Sequence, residues 1–165
     1  MGAWGTGPFD NDRAADWAGQ LADTPPHDRP ELLRTTLLTV LPGGDRPEPA
    51  RWTPWRSAGR AWSRLRRLGR TLRDDEDWGA EEVVAAACVV AGALPGGPAV
   101  DENYGPPAEV ITSLEVDEEL RALALRAVQE AIGEGSEWHD LWSEAGALDE
   151  ATTALQPVVD ALRRP

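Results

Sequence analysis

Apolar residues recur every three or four positions along most of the chain, and this spacing predicts a series of amphipathic helices. The predicted helices begin near residues 12, 29, 53, 80, 117, 136 and 149, each close to a capping residue or a proline. Proline and glycine pairs separate several of them, and residues 109–116 are expected to be extended. The sequence therefore predicts short helices joined by turns and loops.

One segment differs from the others because it is apolar on nearly every side. Residues 80–94 consist mainly of alanine and valine and include Cys88, which is expected to be a small buried side chain. The valines would also suit a buried strand, but the length and the alanine content favour a helix. The predicted fold is a single all-α domain over residues 1–165, a compact bundle of six or seven short helices around this Ala/Val-rich central helix.

The charge balance limits the classes of protein to which the chain can belong. The chain has 29 acidic residues and 16 basic residues, which give a net charge of −13. All 16 basic residues are arginine. The longest apolar run, residues 83–91, is about half of what a bilayer needs, and one cysteine cannot form an intrachain disulfide. These features argue against a membrane protein, a disulfide scaffold and a simple basic nucleic-acid binder. With no visible secretory signal, we expect a cytoplasmic protein.

Residues 46–73 are a basic block inside this acidic chain, with nine arginines and one acidic residue. The helix predicted at 53–72 places tryptophans and leucines on one side and an arc of arginines opposite: Arg56, Arg60, Arg64 and Arg67. We favour an arrangement in which this arc faces acidic neighbours in the same protein. Docking to a partner protein is the second interpretation, and binding to nucleic acid or an anionic surface is the third.

The opening residues form a motif of their own, Gly-Ala-Trp-Gly-Thr-Gly-Pro-Phe-Asp-Asn-Asp at positions 2–12. In one interpretation it is a partner site, with aromatic walls from Trp4 and Phe9 and acceptors from Asp10, Asn11 and Asp12. In the other, Trp4 fills the core while Asp10 and Asn11 cap the first helix. We favour the helix-entry interpretation, because short motifs are weak evidence of function.

A second motif, Ser-Glu-Trp-His-Asp-Leu-Trp-Ser-Glu-Ala, occupies residues 136–145 and contributes Trp138 and Trp142 as further candidate partner-binding residues. Together the two motifs resemble the bacterial family called domain of unknown function 4259. The resemblance implies a small, soluble, helical protein and carries no activity with it. Relative to shorter members of that family, residues 46–73 look like an insertion.

Candidate catalytic chemistry is sparse. Only His27 and His139 could serve as ordinary bases near neutral pH. An enzyme would need a pocket where His139 meets Glu137, Asp140 or Glu144. Asp10, Asp12 and Asp16 lack the ligand spacing of a calcium loop. We therefore expect no enzyme activity, no metal and no cofactor.

The sequence favours a non-catalytic protein-interaction module, of an inhibitor or immunity type, whose unknown partner is a basic protein. This hypothesis rests on the acidic charge, which would steer a basic partner towards the surface. A binder of nucleic acid or anionic surfaces through the Arg-rich helix is the alternative, although nucleic acid is disfavoured by the charge. An enzyme of unknown reaction is the remaining alternative.

Overall fold

The computed structural model describes residues 5–41, 79–101 and 103–164. Within these ranges the chain forms helices and no β-strand, which confirms the predicted all-α fold. The helix predicted at 53–72, with its arginine arc, and Trp4 of the opening motif lie outside the described residues. The helices of the described part are α1 (Asp12–Asp23), α2 (Arg29–Leu38), α3 (Ala80–Ala93), α4 (Ala108–Thr112), α5 (Glu118–Ala131), α6 (Glu137–Glu144) and α7 (Leu148–Arg163).

Helix α3 is the centre of the described structure, as the sequence predicts. Every residue from Val83 to Ala91 is buried, and α3 contacts each of the other six helices. Its alanines permit this because a methyl side chain lets neighbouring backbones approach closely. Cys88 is buried among them, and burial raises the pKa of its thiol. None of the described helices is long and apolar enough to cross a bilayer.

Side chains cap three of the helices at their first turns. Asn11 accepts a hydrogen bond from the Ala14 backbone N–H at 2.8 Å, and Ser136 accepts one from the His139 N–H at 3.1 Å. Asp117 does the same for the Leu120 N–H at 2.7 Å. Each bond satisfies an amide that has no partner within its helix, which explains where α1, α5 and α6 begin.

The prediction that residues 109–116 are extended is wrong at their start. Ala108–Thr112 form the short helix α4, which begins directly after Pro107. Val110 and Ile111 are both buried. Adjacent apolar residues in so short a run do not distinguish one helical turn from a strand, and contact with α3 decides in favour of the helix.

Two polar side chains that the periodicity does not identify are buried between the helices. The indole N–H of Trp17 on α1 donates to Thr36 Oγ1 on α2 at 3.0 Å, and this hydroxyl donates to the Leu32 carbonyl at 3.0 Å. Arg29 donates to the Thr24 carbonyl near the end of α1, and also to the Ala22 carbonyl and Ser113 Oγ. Arg29 therefore joins the end of α1 to the residue that caps α4.

Replacing Thr36 with valine is expected to lower the free energy of unfolding by about 1–3 kcal/mol. Valine nearly preserves the volume of threonine but leaves the buried Trp17 indole N–H without its acceptor. Urea denaturation followed by circular dichroism measures the change. Thr36→Ser is the control, because it retains the hydroxyl and removes only a methyl group. A valine variant more stable than the serine variant would contradict this role of the hydrogen bond.

An ion pair and a helix cap meet at Asp117. The backbone hydrogen bond from Leu120 is the main factor that lowers the pKa of Asp117 below its ordinary value of 3.8, and Arg34 on α2 lowers it further. Arg34 Nη2 lies 2.6 Å from Asp117 Oδ2. Because folding lowers this pKa, the stabilisation is complete above the pKa of the unfolded chain and is lost as pH falls through that of the folded protein.

Asp117→Asn is therefore expected to flatten the acid side of the stability curve. Asparagine also caps helices well, so the variant is expected to keep most of the cap while losing the charge. Denaturation midpoints of wild type and variant are measured between about pH 3 and pH 7. We expect the difference between the two midpoints to become smaller below the ordinary aspartate pKa of about 4. A gap independent of pH would contradict the role of the charge.

Candidate functional site

The opening motif folds into a tight turn ahead of α1, and the geometry explains its glycines. Asp10 Oδ2 accepts a hydrogen bond from the Gly7 N–H at 3.0 Å, while the Asp10 N–H donates to the Gly7 carbonyl at 3.1 Å. A Cβ atom at Gly5 or Gly7 would collide with the Asp10 carboxylate. Phe9 is buried in the core. Three residues of the motif therefore build the turn, and Phe9 anchors it in the core.

The second motif forms α6, whose apolar stripe is only partly covered by the rest of the fold. Trp138 is 6% exposed, while Leu141 is 50% exposed and Trp142 is half-buried. The indole rings of Trp138 and Trp142 meet edge to face, with centroids 6.2 Å apart and planes at 61°. This is a favourable geometry for an aromatic pair, and it holds the two rings in a defined arrangement.

Residues of both motifs line one groove with a volume of about 380 Å³. We call it the motif groove. Helices α3 and α7 contribute Glu81, Val84 and Leu155 to its lining. The lining residues from the opening motif and the start of α1 are Thr6, Gly7, Pro8, Asn11, Asp12 and Arg13, and those from the second motif are Glu137, Trp138, Leu141, Trp142 and Ala145.

The charged residues of the motif groove are mostly acidic. Asp12, Glu81 and Glu137 line it, and Arg13 is the one basic residue among the described lining residues. A side chain at Gly79 would meet both Arg13 and Glu81, which places these two charges near the start of α3. Glu150 on α7 accepts a hydrogen bond from Thr6 Oγ1 at 3.2 Å, which adds another carboxylate beside the turn.

The structure separates the predicted site residues into three groups. Asn11, Asp12, Trp138 and Trp142 line the motif groove, with Asn11 also acting as a cap. Phe9 is buried in the core. The helix-entry interpretation predicts that both Asp10 and Asn11 cap α1, and this is wrong for Asp10: Asn11 is the cap, whereas the Asp10 carboxylate accepts from the Gly7 N–H within the turn. The others lie outside the described residues: Trp4, Arg56, Arg60, Arg64 and Arg67. Partner binding by any of these residues stays a prediction.

Several residues that line the motif groove could not be recognised as site candidates from the sequence. Glu81 and Leu155 belong to helices with no distinctive motif, and nothing local marks them. Leu141 carried a signal, because it lies within the second motif between the two tryptophans. Its exposure could not be inferred from the sequence, since the same spacing is typical of a fully buried face.

The histidine on which the enzyme interpretation depends lies beside the motif groove rather than in it. His139 is not among the lining residues, and its Nδ1 lies 3.5 Å from Asp140 Oδ1. His27 is near Asp28, with 3.4 Å between Nε2 and Oδ2, and is largely exposed. In the described residues, no group of three or more His, Cys, Asp or Glu side chains has an arrangement that could hold a metal ion.

Taken together, the fold and the site define an all-helical protein, over the described residues, with an acidic, tryptophan-lined groove between its N-terminal turn and a short helix. The chain belongs to the family described as Domain of unknown function (DUF4259), whose model matches residues 2–48 and 68–154. Both motifs fall within the match, whereas residues 49–67 of the basic block fall outside it. The insertion at 46–73 stays a prediction. No curated protein and no solved structure shows a significant match.

Proposed function

We propose that this protein is a non-catalytic, cytoplasmic interaction module and that a partner protein docks at the motif groove. The observation that supports the proposal is the position of Leu141. This side chain is half exposed at the groove, beside Trp142, although both belong to an apolar stripe that would normally be covered. Tryptophan is among the residues that most often dominate binding energy at protein interfaces, and Trp142 lies beside this exposed leucine at the groove.

The charge of the chain supports a basic partner. A net charge of −13 and three carboxylates at the groove would attract a positively charged surface and speed its association. Proteins that inhibit or neutralise a basic partner use this kind of complementarity, so an inhibitor or immunity-type role is the finer form of the proposal. The single buried cysteine suits a reducing compartment, which supports the cytoplasm.

Site-specific photo-crosslinking in cells tests the proposal. A photoreactive amino acid replaces Leu141 in one variant and Tyr104 in the control. Tyr104 is the other exposed large apolar residue of the described chain, 46% exposed, and it does not line the motif groove. We expect position 141 to yield one discrete protein adduct that position 104 does not, and mass spectrometry identifies the partner.

The identified partner is then purified, and its affinity is measured for wild type, for Leu141→Ser and for Tyr104→Ser. We expect Leu141→Ser to weaken binding by about tenfold or more, a change equivalent to about 1.4 kcal/mol, while Tyr104→Ser leaves it unchanged relative to wild type. Equal crosslinking at both positions would contradict the proposal. So would an affinity that Leu141→Ser leaves unaltered.

A further inference from the structure

The motif groove has the dimensions of a site for a short segment. Its volume of about 380 Å³ lies near the lower end of the range of about 300–1,000 Å³ that is typical of small-ligand pockets. A cleft of this size accommodates a few side chains of a partner. The partner would therefore contact it through a short segment.

The apolar part of the groove favours one aliphatic anchor. Val84, Leu155 and Trp138 form the buried apolar part of the lining, and Trp142 and Leu141 are its solvent-accessible apolar side chains. An aliphatic side chain placed against Leu141 and Trp142 removes apolar area from water on both partners, at about 25 cal/mol per Å². A wholly polar segment would gain nothing there.

The carboxylates determine what flanks that anchor. Asp12, Glu81 and Glu137 belong to three different helices, so acidic groups border the groove on several sides. Arginine or lysine beside the anchor would meet a carboxylate, and the indole of the half-buried Trp142 offers cation–π contact to the same side chains. The three carboxylates outnumber Arg13 among the described lining residues, so acidic flanking residues are disfavoured.

We infer that the motif groove binds a segment of the partner in which one aliphatic side chain is flanked by arginine or lysine. This inference rests on the proposed function and specifies the chemistry of the occupant. The apolar lining of the groove binds the aliphatic anchor, and the carboxylates of the three helices bind its basic neighbours. Binding of the segment requires both the anchor and the basic residues.

Fluorescence anisotropy with the purified full-length protein tests the inference. The probe is a labelled peptide, Gly-Ser-Arg-Arg-Leu-Arg-Arg-Ser-Gly. One matched peptide replaces its leucine with serine, and a second replaces all of its arginines with glutamate. We expect the leucine-arginine peptide to bind, and each matched peptide to bind at least about tenfold more weakly.

Variants of the protein separate the two contributions. Leu141→Ser is expected to weaken binding at low and at physiological ionic strength alike. The double variant Glu81→Gln, Glu137→Gln is expected to weaken it mainly at low ionic strength, where charges are least screened. The matched control is Glu109→Gln, Glu119→Gln, which neutralises two first-turn carboxylates outside the groove and is expected to bind the peptide like wild type.

Four outcomes would overturn the inference. Equal binding of the serine peptide would indicate general charge attraction, and so would an equal loss in the control double variant. Absence of binding by all three peptides would reject the chemistry, and a partner crosslinked through position 141 would still support the proposed function. Dimerisation in sedimentation experiments that Leu141→Ser abolishes would identify a second copy of the chain as the occupant.

Discussion

Replacing Trp17 with alanine is expected to lower the free energy of unfolding by about 3–5 kcal/mol. Trp17 is 2% exposed and lies on the inner face of α1. The substitution leaves a cavity between α1 and its neighbours and removes the indole donor from Thr36. Natural domains are stable by only about 5–15 kcal/mol, so much of the folded-state stability would be lost.

Trp17→Phe separates the two causes of that loss. Phenylalanine keeps most of the apolar volume and removes the N–H, so we expect it to be clearly more stable than the alanine variant. The free energy of unfolding of wild type, Trp17→Ala and Trp17→Phe is measured by urea denaturation. The transition is followed by the circular dichroism of the helical backbone, a signal that does not rely on Trp17. Equal stability of the alanine variant and wild type would show that α1 does not pack as described.

Replacing Ala86 with leucine is expected to lower the free energy of unfolding by about 1–3 kcal/mol, or more if the neighbouring helices cannot move apart. Ala86 has no exposed surface and lies in the middle of α3, which contacts every other described helix. The added carbons have no free space to occupy, so they force side chains out of their preferred rotamers or displace the backbone.

The matched control is Ala122→Leu on α5, at an exposed position of a helix of the same length. The same substitution there is expected to change stability by less than about 0.5 kcal/mol, as is typical of surface sites. If Ala86→Leu were tolerated as well as Ala122→Leu, the close packing around α3 would be contradicted.

The helices could be predicted because their signals are local. The spacing of Ala14, Trp17, Ala18 and Leu21 identifies the buried face of α1, and all four are buried. Residues 80–94 could be recognised as the central helix because an apolar segment without a polar face must be covered on all sides. Periodicity therefore predicted the described helices other than α4, and it also predicted the inner face of α1.

The candidate site could not be predicted in the same way, because it depends on which helices are neighbours. Residues 6–13 and 137–145 are far apart in the chain, and only the packing of α1 and α6 around α3 brings them to one groove. For the same reason the burial of Arg29 and Thr36 could not be predicted. Both are polar residues, and the groups with which they form hydrogen bonds lie on other elements.

The geometry shows that some residues of the two motifs have structural roles and that others are open to an interaction. Gly5, Gly7 and Asp10 build the turn, and Asn11 and Ser136 cap the helices that follow. A structural role therefore accounts for much of what makes the motifs distinctive. The residues left for an interaction are those that line the motif groove while remaining partly open to solvent, and they include Asp12, Glu137, Leu141 and Trp142.

A nuclear magnetic resonance titration of the isotope-labelled protein with the leucine-arginine peptide tests directly whether both motifs form the binding site. We expect the amide signals of residues 6–13, except Pro8, and of residues 137–145 to shift together and saturate at one peptide concentration, with Glu81 among them. Shifts confined to one motif would contradict a groove built from both. Shifts centred on the acidic starts of α4 and α5 would contradict the groove as the binding site.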